Sequence, residues 1–389
     1  MSSLRLMVLG VLGSSPFAGV AWQVLHYLEG LRRLGHDVYY VEDTGAWPYD
    51  PLRRAVTDDC SYTVSYLARV LEPHGMGGRW AYRAATDDRS VYGLSEGRLA
   101  ELYTEADAIL NLTGSTVLRD EHLGVPVRVY VETDPVLPQL EIASGRQRTI
   151  DLLAAHTHHV TFGENIGSPD CPVPVVGFHY MPTRQPVVLD WWRAPEAQTS
   201  GAVRLTTVGN WIQSGKDVEW NGETYRWSKH HEFLKLLDLP QRAAASFELA
   251  LSSVSPEDES LLQAHGWQVV DAVALSSAPD PYRSYILGSS GEFTVAKDQN
   301  VRLQSGWFSD RSACYLAAGK PVVTQDTGFS RVLPVGEGLF SFATIDDAVS
   351  ACEAIAADPP RHGRAAREIA EEYFRAETVL SRLLASAGL

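Results

Sequence analysis

The C-terminal half of the chain carries cations and small polar residues at spacings that suit a diphosphate. Arg311 lies in the run Ser305 to Ser330, SGWFSDRSACYLAAGKPVVTQDTGFS. There Ser309 offers an N-cap, and Asp310 suits the positive end of the helix that follows. Gly319 and Pro321 stop that helix, and Val322 and Val323 re-enter a sheet. A helix start beside a strand end presents free N–H groups to phosphate oxygens, and a guanidinium beside it clamps them. Lys297 follows the apolar run Phe293 to Ala296 and is one of only five lysines among 33 basic residues. Lys229 and His230 open a helix after the loop at Asn210 and are placed to reach the same phosphates. Asp326, Thr327 and Gly328 form a polar loop beyond Val322 and Val323, and Glu292 stands directly before the Phe293 run. The competing reading for each is ordinary: a solvated cation, or the turn chemistry of any α/β protein.

Candidates in the N-terminal half sit after apolar runs. Gly13, Ser14 and Ser15 follow the run Leu4 to Leu12 and would floor the crevice of a doubly wound sheet, the acceptor side in a transferase. Asp134 follows Val127 to Val131 and precedes Pro135, so it belongs to a strand's carboxyl end, fixed by a rigid turn. A carboxylate there can take a proton from an acceptor hydroxyl. An Asx turn before Pro135 is the alternative. Glu132 and Asp134 also resemble the acidic metal-binding pair of the GT-A glycosyltransferase fold, a reading that leaves the second half of the chain unexplained. His156, His158 and His159 lack the spaced acidic or thiol partners of a metal site, and no metal is expected.

These residues need strands and helices to place them, and the pattern supplies two successive sets. The first forty residues read as β-loop-α-β: a strand at Leu4 to Leu12, a helix with Val20, Val24, Leu28 and Leu31 on one face, and a strand at Val38 to Val41. Alternation continues through a helix at Ser61 to Leu71 and strands at Ala108 to Leu112, Val127 to Val131, Val160 to Gly163 and Val173 to Gly177. Met181 to Ala202 is Pro-containing and non-periodic, a crossing between domains. Alternation then restarts, with strands at Val203 to Val208, Phe247 to Leu251, Gln268 to Val270, Phe293 to Ala296, Pro321 to Thr324 and Leu339 to Phe342. The expected architecture is α/β, with two Rossmann-like doubly wound domains facing across a cleft. Residues 1–185 form the first and 200–365 the second, with a C-terminal helix at 366–389 packing back on the N-terminal domain.

Composition narrows the function. The 389 residues suffice for two cores. A net charge of −15 argues against a nucleic-acid partner, which needs a basic face. No apolar run is long enough for a membrane span, and no signal-peptide cleavage pattern closes the first strand, so a cytoplasmic protein is expected. The four cysteines have no metal or disulfide spacing. Trp47, Tyr49 and Trp80 are either an aromatic acceptor pocket or packing residues.

The segments Ala317-Ala-Gly-Lys-Pro-Val-Val, Thr327-Gly-Phe, Gly336-Glu-Gly-Leu-Phe-Ser-Phe and Asp346-Asp-Ala, in that order and spacing, resemble the donor domain of GT-B glycosyltransferases. Val208-Gly-Asn-Trp stands where members often carry V-G-R. The closer resemblance is to glycosyltransferases grouped with spore-coat maturation proteins, which often carry Arg where Arg311 stands. Two glutamates of the best-known retaining members are replaced here by Gly306 and Cys314. The resemblance implies metal-independent transfer of a hexose-type sugar from a nucleoside-diphosphate sugar, with a UDP-sugar as co-substrate, to a small-molecule or glycan acceptor. It also implies that residues 1–185 bind the acceptor and 200–365 the donor, with Asn210, Asp326, Thr327 and Gly328 bordering the donor and Glu292 meeting a sugar hydroxyl. A GT-B nucleotide-sugar epimerase and a non-catalytic nucleotide-sugar-binding relative are the alternatives. An exported two-lobed solute-binding protein fits less well without a signal peptide.

Overall fold

The computed structural model describes residues 3–86, 89–193 and 203–389. Residues 194–202 of the expected crossing lie outside the described residues.

Continuous apolar runs become strands buried on both faces, as parallel sheets require. In the N-terminal half β1 (Arg5–Leu9), β2 (Asp37–Glu42), β3 (Trp80–Arg83), β4 (Val91–Gly93), β5 (Ala108–Leu112), β6 (Val127–Glu132), β7 (His158–Thr161) and β8 (Tyr180–Pro182) form one sheet. Its order is β8-β7-β6-β5-β1-β2-β3-β4, parallel throughout except for the β3–β4 pair. The C-terminal half contributes β9 (Arg204–Asn210), β10 (Ser246–Ser252), β11 (Gln268–Asp271), β12 (Gly291–Thr294), β13 (Val322–Gln325) and β14 (Leu339–Phe342). These six are all parallel, in the order β11-β10-β9-β12-β13-β14. Strand order reverses beside β1 in the first sheet and between β9 and β12 in the second. Ligands of doubly wound sheets sit at such points, beyond the carboxyl ends of the strands.

The strand expected at Val173 to Gly177 does not form. Pro172 and Pro174 deprive that segment of alternate backbone donors, and the edge strand is taken instead by Tyr180–Pro182. The expected C-terminal helix is two helices, Pro359–Tyr373 and Ala376–Ser386. At the break between them the Val187 N–H donates to the Phe374 carbonyl (2.7 Å) and the Ala376 N–H to the Val187 carbonyl (3.0 Å), tying the interdomain crossing to the C-terminal segment. Helix Ala376–Ser386 packs on helix Ala18–Arg33 of the N-terminal half. Gly30 permits the approach, because a Cβ there would lie 2.5 Å from Leu380 Cδ1 and 2.9 Å from Ala376 Cβ.

The chain after β9 departs from a plain strand-to-helix turn. It forms a hairpin, Val218–Trp220 with Glu223–Tyr225, whose buried Val218 and Tyr225 join Tyr130, Val136 and Leu140 of the N-terminal half in one apolar cluster. The hairpin thus links the two halves.

Candidate functional site

A cleft of about 830 Å³ opens between the two sheets, walled on one side by the ends of β9 and β12 and the start of helix Asp310–Ala317. Asn210, Lys229, Lys297, Ser309, Asp310 and Arg311 line that wall. Phe17, Gln23, Tyr49, Thr113, Thr133 and Asp134 line the N-terminal side.

Arg311 is the most tightly held cation. Its Nε donates to buried Glu292 (2.5 Å), one terminal nitrogen to the Val208 carbonyl (2.6 Å) and the other to Thr294 Oγ1 (2.9 Å). Three of five N–H bonds are thereby used, leaving two for a ligand. Helix Asp310–Ala317 begins at Ser309, whose side chain makes no cap bond. Its first-turn amides lack intrahelical partners. Lys297, at the N-cap of helix Asp298–Arg302, rests 3.2 Å from the centroid of the Trp227 ring and donates to Asp134 Oδ1 at 2.5 Å. Burial, only partly offset by Asp134, lowers its pKa to about 8.

Lys229 is half-buried and lies over the Trp307 ring, 5.2 Å from its centroid. Among the described residues no carboxylate pairs with it, and burial, reinforced by repulsion from Arg311 and Lys297, lowers it to about 7. Asp310 shifts the other way, raised to about 7 by burial despite a hydrogen bond from Gln23 Nε2 (3.2 Å) across the cleft. At neutral pH it is substantially protonated and can donate to a ligand oxygen.

Asp134 is set by the segment around it. Val136 has φ +87° and ψ −55°, a strained conformation for a β-branched residue. The Val136 N–H donates to Gln139 Oε1 (2.7 Å), and Gln139 Nε2 to both oxygens of Glu132 (2.8 and 2.9 Å). Thr161 Oγ1 also donates to Glu132 (2.6 Å). Glu132, raised to about 7 by burial, is therefore a structural carboxyl beneath the turn, and it forms no pair with Asp134 in the cleft.

Several expected residues lie elsewhere. Gly13 and Ser14 do not line the cleft: their amides are taken by buried Glu42, at 2.7 and 2.5 Å, which also accepts from Tyr40 (2.7 Å) and the Ser14 hydroxyl. A side-chain carboxylate occupies the nest an anionic ligand would use. Ser15 is likewise outside the cleft. Glu292 is wholly buried behind Arg311, out of reach of a sugar hydroxyl. Asp326 closes a local turn onto Gly328 N–H and the Ser330 hydroxyl, and Thr327 donates to the Trp307 carbonyl (2.6 Å). Gly328, at φ +87°, meets Asn165, whose side-chain amide donates to its carbonyl (3.0 Å). That loop is an interdomain joint. Of the three aromatics, Tyr49 lines the cleft, Trp47 is exposed and Trp80 is buried. His156 and His159 are buried and bond the Leu152 and Leu153 carbonyls. Asp43, Glu121 and His122 do gather ligand atoms within 4.8 Å of one another, but Arg83 and Arg119 both reach Asp43.

Trp307, Gln23 and Trp227 had no sequence signal. Trp307 spans the cleft, its indole N–H donating to the Thr133 carbonyl at 3.0 Å, and its approach to Thr133 comes from a residue 174 positions away.

No protein-family model and no curated protein sequence matches the chain. Solved structures match along its whole length. An α-glucosyltransferase in complex with UDP and a 13-mer DNA containing a HMU base aligns with TM-score 0.61 at 10% identity, covering 100% of both chains. Anabaena Alr3699/HepE, in complex with UDP and glucose, gives 0.57 at 11% identity and 99% of each chain. AviGT4, a glycosyltransferase involved in avilamycin A biosynthesis, gives 0.52 at 12% identity, over 99% of this chain and 97% of its own. The chain has the two-domain GT-B fold of these proteins. Among the described residues no helix is long and apolar enough to cross a membrane.

Proposed function

We propose that the chain is a glycosyltransferase moving a hexose-type sugar from a UDP-sugar to a small-molecule or glycan acceptor, without a metal ion. One observation carries this reading. Lys229, Lys297 and Arg311 converge with the start of helix Asp310–Ala317 on one wall of the interdomain cleft, and Asp134 stands opposite. Fixed cations and backbone amides neutralise a leaving diphosphate in place of a metal. The acceptor oxygen attacks the anomeric carbon, the carbon–phosphate oxygen bond breaks toward the diphosphate, and Asp134 takes the hydroxyl proton. UDP is favoured because two of the similar structures hold it. One of them also holds DNA, so the fold itself admits a nucleic-acid acceptor; the net charge of −15 is what supports a different one here.

Thermal shift against UDP, GDP, TDP and their sugar conjugates, with and without EDTA, tests the reading. At about 100 times its Kd one nucleotide family should stabilise the fold by roughly 2.7 kcal/mol, unaffected by EDTA. Stabilisation that EDTA abolishes would overturn metal independence. Binding without turnover would leave a non-catalytic relative, and binding of none of the three would remove the donor site.

Lys229 makes nucleotide affinity depend on pH. Its free-state pKa is about 7, in the field of Arg311, Lys297, Glu292 and Asp134. A diphosphate raises it. Affinity is therefore full below about pH 7, falls as the pH rises through 7, and levels off above the bound-state pKa. Asp310 ionises over the same range and adds repulsion of the same sign. Titration calorimetry at pH 7.5 in two buffers of different ionisation enthalpy should show proton uptake on UDP binding, reduced in Lys229→Arg. Equal proton uptake in both proteins would rule Lys229 out as its source.

A further inference from the structure

We propose that Asp134 and Lys297 form an interdomain latch that nucleotide binding opens, so that the donor diphosphate frees the catalytic carboxylate by taking its lysine. This rests on the reading of the cleft as a glycosyl-transfer site. Asp134 follows β6 of the N-terminal sheet and Lys297 follows β12 of the C-terminal sheet, yet they meet at 2.5 Å inside the cleft. Their exposures are unequal. The Lys297 side chain is 8% exposed and held against Trp227, whereas Asp134 is 42% exposed and faces open cleft. Among the described residues Asp134 accepts no other hydrogen bond, so the lysine is its one strong partner. The other cations of the donor wall do not compete for it: Arg311 is bound to Glu292, and among the described residues Lys229 is paired with no carboxylate.

A carboxylate oxygen that accepts a hydrogen bond from an ammonium has that position occupied, so it is not free to accept an acceptor's proton. A diphosphate brings more negative charge to the same ammonium than one carboxylate does. Once Lys297 turns to it, Asp134 is left unpaired and facing the acceptor side, which contains Gln23, Tyr49 and Thr133. The order of binding follows: donor first, then acceptor. Nucleotide affinity is reduced by the fraction of molecules in which the latch is closed, so a latch closed nine times in ten weakens it about tenfold.

The test is a double-mutant cycle read by UDP affinity. It is run at pH 6, where Lys297 retains its proton when Asp134 no longer supports its charge, and is followed to millimolar UDP. Asp134→Asn should bind UDP about tenfold more tightly than the wild type. In the Lys297→Met background the same Asp134→Asn change should alter UDP affinity less than twofold. An equal gain in both backgrounds would mean that Asp134 merely repels the diphosphate, and no gain in either would mean that the pair does not oppose binding. Both results overturn the latch while leaving the donor site standing. Failure of the wild type to bind UDP, GDP or TDP removes the donor site, and the latch with it.

Discussion

Replacing Arg311 by alanine should destabilise the protein by about 3–5 kcal/mol and abolish nucleotide binding together. The stability loss comes from Glu292, which is wholly buried and whose Oε1 depends on Arg311 Nε. Glu292 Oε2 has no hydrogen-bond partner among the described residues. Removing one member of a buried pair leaves an uncompensated charge, and that is where the large cost arises. At roughly 2–4 °C per kcal/mol for a domain of this size, the midpoint falls on the order of 10 °C. The double variant Arg311→Met, Glu292→Gln separates the two effects. It removes both charges, so most of the stability should return. UDP binding should not return, because the cleft has lost its fixed guanidinium. Lys at this position is no substitute, since a single ammonium cannot reach Glu292, the Val208 carbonyl and Thr294 at once. Thermal melts of the three proteins with and without saturating UDP give both quantities. A double variant that regains UDP binding would show that Arg311 serves Glu292 alone.

What the sequence disclosed follows from the range of the forces involved. Strands such as Ala108–Leu112 and Leu339–Phe342 are legible to the residue, because a strand covered on both faces is apolar at most positions, Asn111 and Ser341 being the exceptions here. The hairpin Val218–Trp220 with Glu223–Tyr225 is invisible, because Val218 and Tyr225 are buried by residues of the other domain and set up no local period. The cleft divides the same way. Lys229, Lys297 and Arg311 stand at strand and helix ends that the local pattern locates. The Gly13–Ser15 loop reads as a ligand nest by itself, and only a carboxylate 29 residues further on, Glu42, fills it. Asp326, Thr327 and Gly328 are equally deceptive, since Asn165 draws that loop into an interdomain joint. The motif around Asp134 gave the residue, while its pairing with Lys297, 163 positions away, required the fold.

Asp134→Asn should lower turnover by 10²–10⁴-fold, the range expected when a positioned general base is removed. The substitution keeps the side chain's shape, and the turn beneath it is held by groups it does not touch. Val136, Gln139, Glu132 and Thr161 bond one another through their own network. Folding should therefore be preserved, with a melting midpoint close to wild type. Any cost is confined to the lost ion pair with Lys297, which is modest because Asp134 is 42% exposed. The informative result is a split between kinetic quantities. If Asp134 acts on the acceptor proton and its pairing with Lys297 opposes donor binding, kcat falls while the donor binds more tightly. A residue that only shaped the cleft would lose both together. Measuring UDP release from a UDP-sugar with an acceptor that supports turnover, beside UDP affinity by calorimetry, reads both halves of the split. A variant retaining kcat within threefold would remove Asp134 from the chemistry and leave proton transfer to another group in the cleft. Asp310, raised to about 7 and standing across from Gln23, would be the next carboxyl to test.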